Sequence, residues 1–354
     1  MLVAVAGLGG GCAGDEEVSA SRPEPLLGVA AGASTLSPGL FAREVRVMAD
    51  SGVTVLRVPF YWRLAQPRRG APTSFATTDW IVAATARARI SLLPVVLGTP
   101  PWAARHPDRP NSPPAGRAAY AAFLRALVDR YGPSGSFWDE RRGLPKRPLR
   151  DWQLWNEPDH LKYWSDQPYE TDYVRLARAG RRAIKDADPG ARVVMAGFAD
   201  RSWESLASLY RAGSRGVFDV AAIHPYTFEP RNVVRIVRLA RAALRRAGDG
   251  ERPLWLTEVT WSSGLRPGHP RAPFETTERD QAARLARALP LLIRTRRELG
   301  VRRIFWENWL STDRDRSNPF DFSGLRALGV DGTVRPKPAF AAYRRVALRV
   351  RAAQ

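Results

Sequence analysis

Two stretches, Trp152-Gln153-Leu154-Trp155-Asn156-Glu157-Pro158 and Leu254-Trp255-Leu256-Thr257-Glu258, each close an apolar, β-prone run on a glutamate. Outward from them the same theme recurs. Short apolar runs at 26–31, 53–59, 91–97, 151–155, 192–196, 217–223, 254–257 and 303–306 predict eight strands. Segments of 3.6-residue periodicity follow each strand, at 38–50, 78–89, 115–131, 172–187, 202–212, 232–247, 277–299 and 338–351. Thr77 or Thr78 is the expected cap of the second helix, and Asp188-Pro189-Gly190 stops the fourth. Thr277 and Asp280 are spaced like a capping box, and Pro290 predicts a kink or break. The segment 132–150, rich in Pro, Gly and Arg, reads as a long loop. Strict strand–helix alternation predicts an α/β protein, a single-domain (β/α)8 TIM barrel over residues 26–354. A doubly wound open sheet would need a glycine-rich phosphate turn after its first strand, and Gly28-Val29-Ala30-Ala31-Gly32 is not one.

The net charge of +20 invites a nucleic-acid reading, but the distribution argues against it. Lys146, Lys162, Lys185 and Lys337 are the only lysines among 55 basic residues, and the arginines recur along helices, as at 175, 178, 181 and 182. That is the pattern of a solvated arginine face, with an acidic polysaccharide as the partner it would otherwise suit. No apolar run reaches the ~18 residues of a membrane-spanning helix. The single cysteine, Cys12, excludes an internal disulfide and a cysteine-rich metal site. It ends an apolar, small-residue segment that precedes a polar stretch, so residues 1–25 are expected to be an export signal and linker. Gly9-Gly10-Gly11-Cys12 resembles a lipoprotein cleavage site, which implies an extracellular or surface location with a lipid anchor at Cys12.

In such barrels, reactive groups sit where strands end. Arg57 ends the second strand, Asn156-Glu157 the fourth, His224-Pro225-Tyr226 the sixth, Glu258 the seventh and Trp306 the eighth. Two carboxylates facing each other across a pocket are the minimal equipment for cleaving a glycosidic bond. Glu157 is the expected general acid and base. Glu258 is the expected nucleophile, kept ionised by Arg57 and Tyr226. Asn156 is suited to a sugar 2-hydroxyl, His224 to orienting a glutamate or binding sugar, and Trp306 to forming a flat platform under a pyranose. Trp102, Trp155, Trp164 and Trp261 are candidates for further subsites. Glu307 is the rival carboxylate, but along an alternating strand it and Trp306 cannot both face inward. Histidines 106, 160, 224 and 269 lack zinc-site spacing, there is no P-loop or G-x-S-x-G elbow, and no lysine ends a strand for Schiff-base chemistry. No metal or cofactor is therefore expected.

With these residues in view, the chain resembles the clan A glycoside hydrolases, most closely family 39 and the cellulase-like members of family 5. The resemblance rests on Trp155-Asn156-Glu157-Pro158, Ala187-Asp188-Pro189-Gly190-Ala191, Ile223-His224-Pro225-Tyr226, and Trp255-Leu256-Thr257-Glu258 with Trp261-Ser262-Ser263. Thr99-Pro100-Pro101-Trp102 stands where family 5 often carries a histidine, which favours family 39. The resemblance implies a cofactor-independent retaining hydrolase of β-linked polysaccharide or oligosaccharide, with Glu157 as acid/base and Glu258 as nucleophile. Endo action is expected over an exo-acting β-xylosidase or arabinofuranosidase. A catalytically inactive glycan-binding barrel is the reading from another class.

Overall fold

Parallel strands cannot be joined by hairpins, so each needs a crossover, and helices supply it. The structure, a computed structural model, describes residues 26–32, 36–265, 274–312, 315 and 317–353. The expected leader and Cys12 lie outside these residues. Eight parallel strands form the barrel: β1 (Leu27–Ala30), β2 (Val55–Tyr61), β3 (Ser91–Leu97), β4 (Asp151–Leu154), β5 (Arg192–Val194), β6 (Ala221–Ile223), β7 (Leu254–Val259) and β8 (Val301–Trp306). Their order is β5-β4-β3-β2-β1-β8-β7-β6. The remaining seam, between β5 and β6, is closed by the bridge Val194–Val220, where the Met195 amide donates to the Val220 carbonyl at 2.9 Å.

The helices are α1 (Pro38–Asp50), α2 (Trp62–Ala65), α3 (Ala76–Arg87), α4 (Arg117–Tyr131), α5 (Ser136–Glu140), α6 (Glu170–Ala187), α7 (Ser202–Arg211), α8 (Pro230–Arg246), α9 (Glu278–Thr295) and α10 (Pro338–Ala352). Helix α3 starts earlier than expected, after Phe75 and without a side-chain cap. Thr78 instead lies inside the helix and bonds back to the Phe75 carbonyl. Helix α9 is capped by Thr277 as expected, and it runs through Pro290 rather than breaking there. Leu285, Ala288, Leu289 and Leu292 are buried on both sides of that proline, so packing holds the helix together. The expected loop at 132–150 contains α5, which buries Phe137 and Trp138. After β8 a small sheet of β9 (Leu310–Ser311), β10 (Arg326–Leu328) and β11 (Val334–Pro336) adds to the βα pattern.

Inside the barrel, Val55, Leu93, Val194, Val220, Ala222, Trp255 and Phe305 form one buried apolar cluster. Next to Trp255 lies a buried ion cluster. Asp151 accepts from Arg192 Nε at 2.7 Å and from Arg303 Nη1 at 2.7 Å, and the Arg303 guanidinium carbon lies 4.1 Å from the Trp255 ring centroid. Removing one partner of a buried pair strands the other charge, which costs more than the pair contributes. Asp151→Ala is therefore expected to lower stability by about 3–5 kcal/mol in denaturant unfolding; an unchanged midpoint would show that Arg303 finds another acceptor.

Candidate active site

The inward face of each strand is set by alternation, and the ends of that face build the site. In β2, Val55 faces the interior cluster, so Arg57 does too, two residues on. In β4 the same rule brings in Asp151 and Gln153. In β7, Trp255 and Thr257 face inward, which would turn Glu258 away in a regular strand. A register irregularity between Leu256 and Val259 re-aims it into the barrel mouth.

Arg57 is the centre of the constellation. Nη1 donates to Glu258 Oε1 at 2.7 Å, Nη2 to Asn156 Oδ1 at 2.6 Å, and Nε to Gln153 Oε1 at 2.8 Å. Gln153 passes the polarity on, donating from Nε2 to the Met195 carbonyl at 3.0 Å. Because arginine only donates, Asn156 must present its oxygen to it, which leaves the amide NH2 free to donate elsewhere. The other Glu258 oxygen, Oε2, accepts from the Tyr226 hydroxyl. Burial pushes the Glu258 carboxyl up, but His224, Arg57 and Tyr226 outweigh it and hold the group below the ordinary carboxylate range.

Glu157 approaches from β4 through a strained backbone. Trp155 and Glu157 both have positive φ, 72° and 39°, which is rare outside glycine. The indole of Trp155 anchors one side of the turn by donating to the Tyr163 carbonyl at 2.9 Å, and the Glu157 amide anchors the other on the Gly197 carbonyl at 3.1 Å. His224, fully buried, spans the two acids. Its Nδ1 lies 2.6 Å from Glu157 Oε1, its Nε2 3.0 Å from Thr257 Oγ1 and 3.5 Å from Glu258 Oε1. Gly197 makes room for that ring, because a Cβ there would stand 1.8 Å from Nε2. One oxygen each of Glu157 and Glu258, together with a His224 nitrogen, lies within 4.8 Å of the others. These are also the atoms that could ligate a metal ion. They are already engaged with one another and with Arg57, Thr257 and Tyr226, so an ion there would have to break the Glu157–His224 bond.

The structure thus brings Arg57, Asn156, Glu157, His224, Tyr226 and Glu258 together. It does not bring Trp306 to them as expected. Phe305 belongs to the interior cluster, so Trp306 points outward. It is 1% exposed, packs against Trp261 and donates to the Ser323 carbonyl at 3.1 Å. A ring buried in that way offers no face to a sugar. Trp164 and Trp261 are likewise core residues, while Trp155, itself almost wholly buried, lines the larger cavity at the mouth with Tyr61 and Tyr163. Glu307 takes the inward position that alternation denies Trp306. It lines a cavity of about 190 Å³ with Arg57, Asn156 and Glu258. Its Oε2 is buried without a hydrogen-bond partner, and Arg57 Nη1 stands 4.0 Å away. Gln153, Thr257 and Gly197 were not singled out from the sequence. For the first two, a polar residue within an apolar strand was the available signal.

No family model matches the chain. A curated β-xylosidase of Geobacillus stearothermophilus is 27% identical over 161 residues, covering 39% of this chain and 31% of the relative. The match thus spans about a third of that relative's length. Among solved structures, a family 39 glycoside hydrolase of Bacteroides cellulosilyticus WH2 superposes with a TM-score of 0.65 at 20% identity, covering 93% of this chain and 64% of the other. The chain has the barrel fold of the family 39 glycoside hydrolases. A monomeric β-xylosidase of Caulobacter crescentus CB15 gives 0.60 at 19% identity (91% and 69% covered). An exo-β-1,4-mannosidase of Opitutaceae bacterium strain TAV5 gives 0.65 at 18% (93% and 60%).

Burial, then the neighbouring Glu258 charge, raise the Glu307 carboxyl well above its ordinary range. In the unfolded chain it titrates near ~4.3, so the folded state binds this proton more tightly. That contribution to stability is complete below the unfolded value and is lost as pH rises through the folded one. Glu307→Gln removes the dependence. Its melting temperature relative to wild type is expected to climb as pH rises above ~5 and to level off once the wild-type carboxyl ionises in the fold, whereas parallel curves would show that the carboxyl ionises without cost.

Proposed function

We propose that this protein is a retaining β-glycosidase acting by double displacement, with Glu157 as acid/base and Glu258 as nucleophile. The observation that carries the reading is the approach of their carboxylate oxygens to within 4.8 Å. Retaining pairs stand about 5–5.5 Å apart, whereas inverting pairs need about 6.5–9.5 Å to admit a water between them. In the first step Glu157 gives its proton to the leaving oxygen as the exocyclic bond breaks, and a Glu258 oxygen bonds the anomeric carbon. In the second, Glu157 takes a proton from water, whose oxygen displaces Glu258. His224 occupies one oxygen of Glu157 and leaves the other for the leaving group. Arg57 and Tyr226 keep Glu258 anionic and oriented until it attacks. The free amide of Asn156 suits the sugar 2-hydroxyl, whose hydrogen bond strengthens in the transition state.

The pocket around Glu258 shares Tyr61, Leu97 and Tyr163 with a second cavity of about 630 Å³, room for more than one sugar unit. That supports an endo-acting enzyme on a β-linked chain. The name of the curated relative favours a β-xylosidase as the second reading. An inactive glycan-binding barrel would have no need of two carboxylates held this close. The apolar segment ahead of Cys12 supports an exported, lipid-anchored enzyme.

Two variants test the assignment on aryl β-glycosides chosen from a panel by wild-type turnover. Glu258→Ala should lower kcat by at least ~10⁴-fold on every substrate, as is typical when a catalytic group acting in concert is removed. Glu157→Ala should be comparably slow on poor leaving groups yet nearly unaffected in glycosylation of acidic phenols, which depart without protonation. Equal losses on both leaving groups would reverse or refute the roles.

A further inference from the structure

The two cavities at the barrel mouth differ in charge. In the smaller one, the guanidinium of Arg57 is committed to the anionic Glu258, to Asn156 and to Gln153, so no cation there is left for an anionic sugar. A negatively charged sugar is disfavoured there. The larger cavity is lined by Arg63, Arg109 and Lys162 against a single acid, Asp108. Among the described residues, none of these three cations has a carboxylate within 4.0 Å.

Two of the cations are placed with some care. Arg63 lies over the ring of Tyr61, its guanidinium carbon 4.8 Å from the centroid, and Lys162 Nζ lies 5.5 Å from that of Tyr163. These tyrosines form the wall common to both cavities, so the charges flank the passage from one to the other. The position of Arg63 depends on Gly98. That residue has φ of 83°, its carbonyl accepts from the Arg63 amide at 2.9 Å, and a Cβ on it would meet Nη1 at 3.1 Å. Thr99, next in the chain, also lines this cavity. Aromatic wall and unpaired cations together suit a sugar that carries an anionic group.

We propose that the larger cavity is a subsite for an anionic sugar unit, carboxylated or sulfated, joined to the neutral unit that occupies the catalytic pocket. The substrate class is then an acidic polysaccharide in which charged and neutral units adjoin. The proposal rests on the glycosidase reading, which the aryl glycosides test separately, since they need not reach this cavity.

Binding is measured by calorimetry on the Glu157→Gln variant, so that ligand is not consumed. One probe pair is a hyaluronan hexasaccharide and its methyl ester; the other is a sulfated neocarrageenan hexasaccharide and its desulfated form. At low ionic strength the charged member of at least one pair should bind about fivefold to tenfold tighter, the range two partly exposed ion pairs provide. The pair that responds identifies carboxylate or sulfate. Adding Arg63→Gln and Lys162→Gln should bring that ratio close to one. The charge-matched control, Arg235→Gln with Arg345→Gln on exposed helix faces, should leave it intact. No preference in either pair, binding of no probe, or equal loss in the control would overturn the proposal, the last by tracing the preference to overall charge.

Discussion

A single buried arginine organises this protein's mouth. Arg57 stands in the middle of a barrel strand, where an unpaired guanidinium would be prohibitively costly, and it is tolerated because three side chains from β4, the turn after it and β7 meet it. The same three bonds fix everything a glycosidase would need from its nucleophile. They hold Glu258 ionised, fix its first oxygen, and turn the amide of Asn156 outward. The burial that makes Arg57 expensive also makes its field strong, since charges in a low-dielectric setting are weakly screened.

The barrel serves that interaction by bringing distant segments to one rim. Regular alternation suffices for Arg57, Gln153 and Thr257. It does not suffice for the acids. Glu258 needs the irregularity in β7, and Glu157 needs a turn with two positive φ angles, held by the Trp155 indole and the Gly197 carbonyl. Backbone departures of this kind cost free energy and persist only where surrounding contacts enforce them. Their concentration at one end of the barrel marks that end as the place where stability has been traded for position.

Much of this architecture was legible in the residues. All eight strands lie where their apolar runs predict, because buried parallel strands read as continuous Val, Leu and Ile stretches. Arg57, expected at its strand's end but lying inside β2, meets Asn156, Glu157, His224, Tyr226 and Glu258 on one rim. Trp306 was misread, since its side depends on the parity of one strand, and Phe305 decides that parity by filling the barrel interior. The exchange of Trp306 for Glu307 follows from the alternation rule once the inward partner is known. Helix α9 passing Pro290 was illegible for a different reason: tertiary packing on both flanks overrides a local propensity. The small sheet β9-β10-β11 carries too few residues for its periodicity to register at all.

The central claim is that Glu258 forms a bond to the anomeric carbon, with Glu157 too near to leave room for an inverting water. The stereochemistry of the first-formed product tests this most directly. Proton NMR of a β-glycoside, recorded in the first minutes before mutarotation, should show the β-hemiacetal appearing first and the α-anomer following only as it equilibrates. An α-anomer formed first would contradict the account, because it requires direct displacement by water across a wider gap.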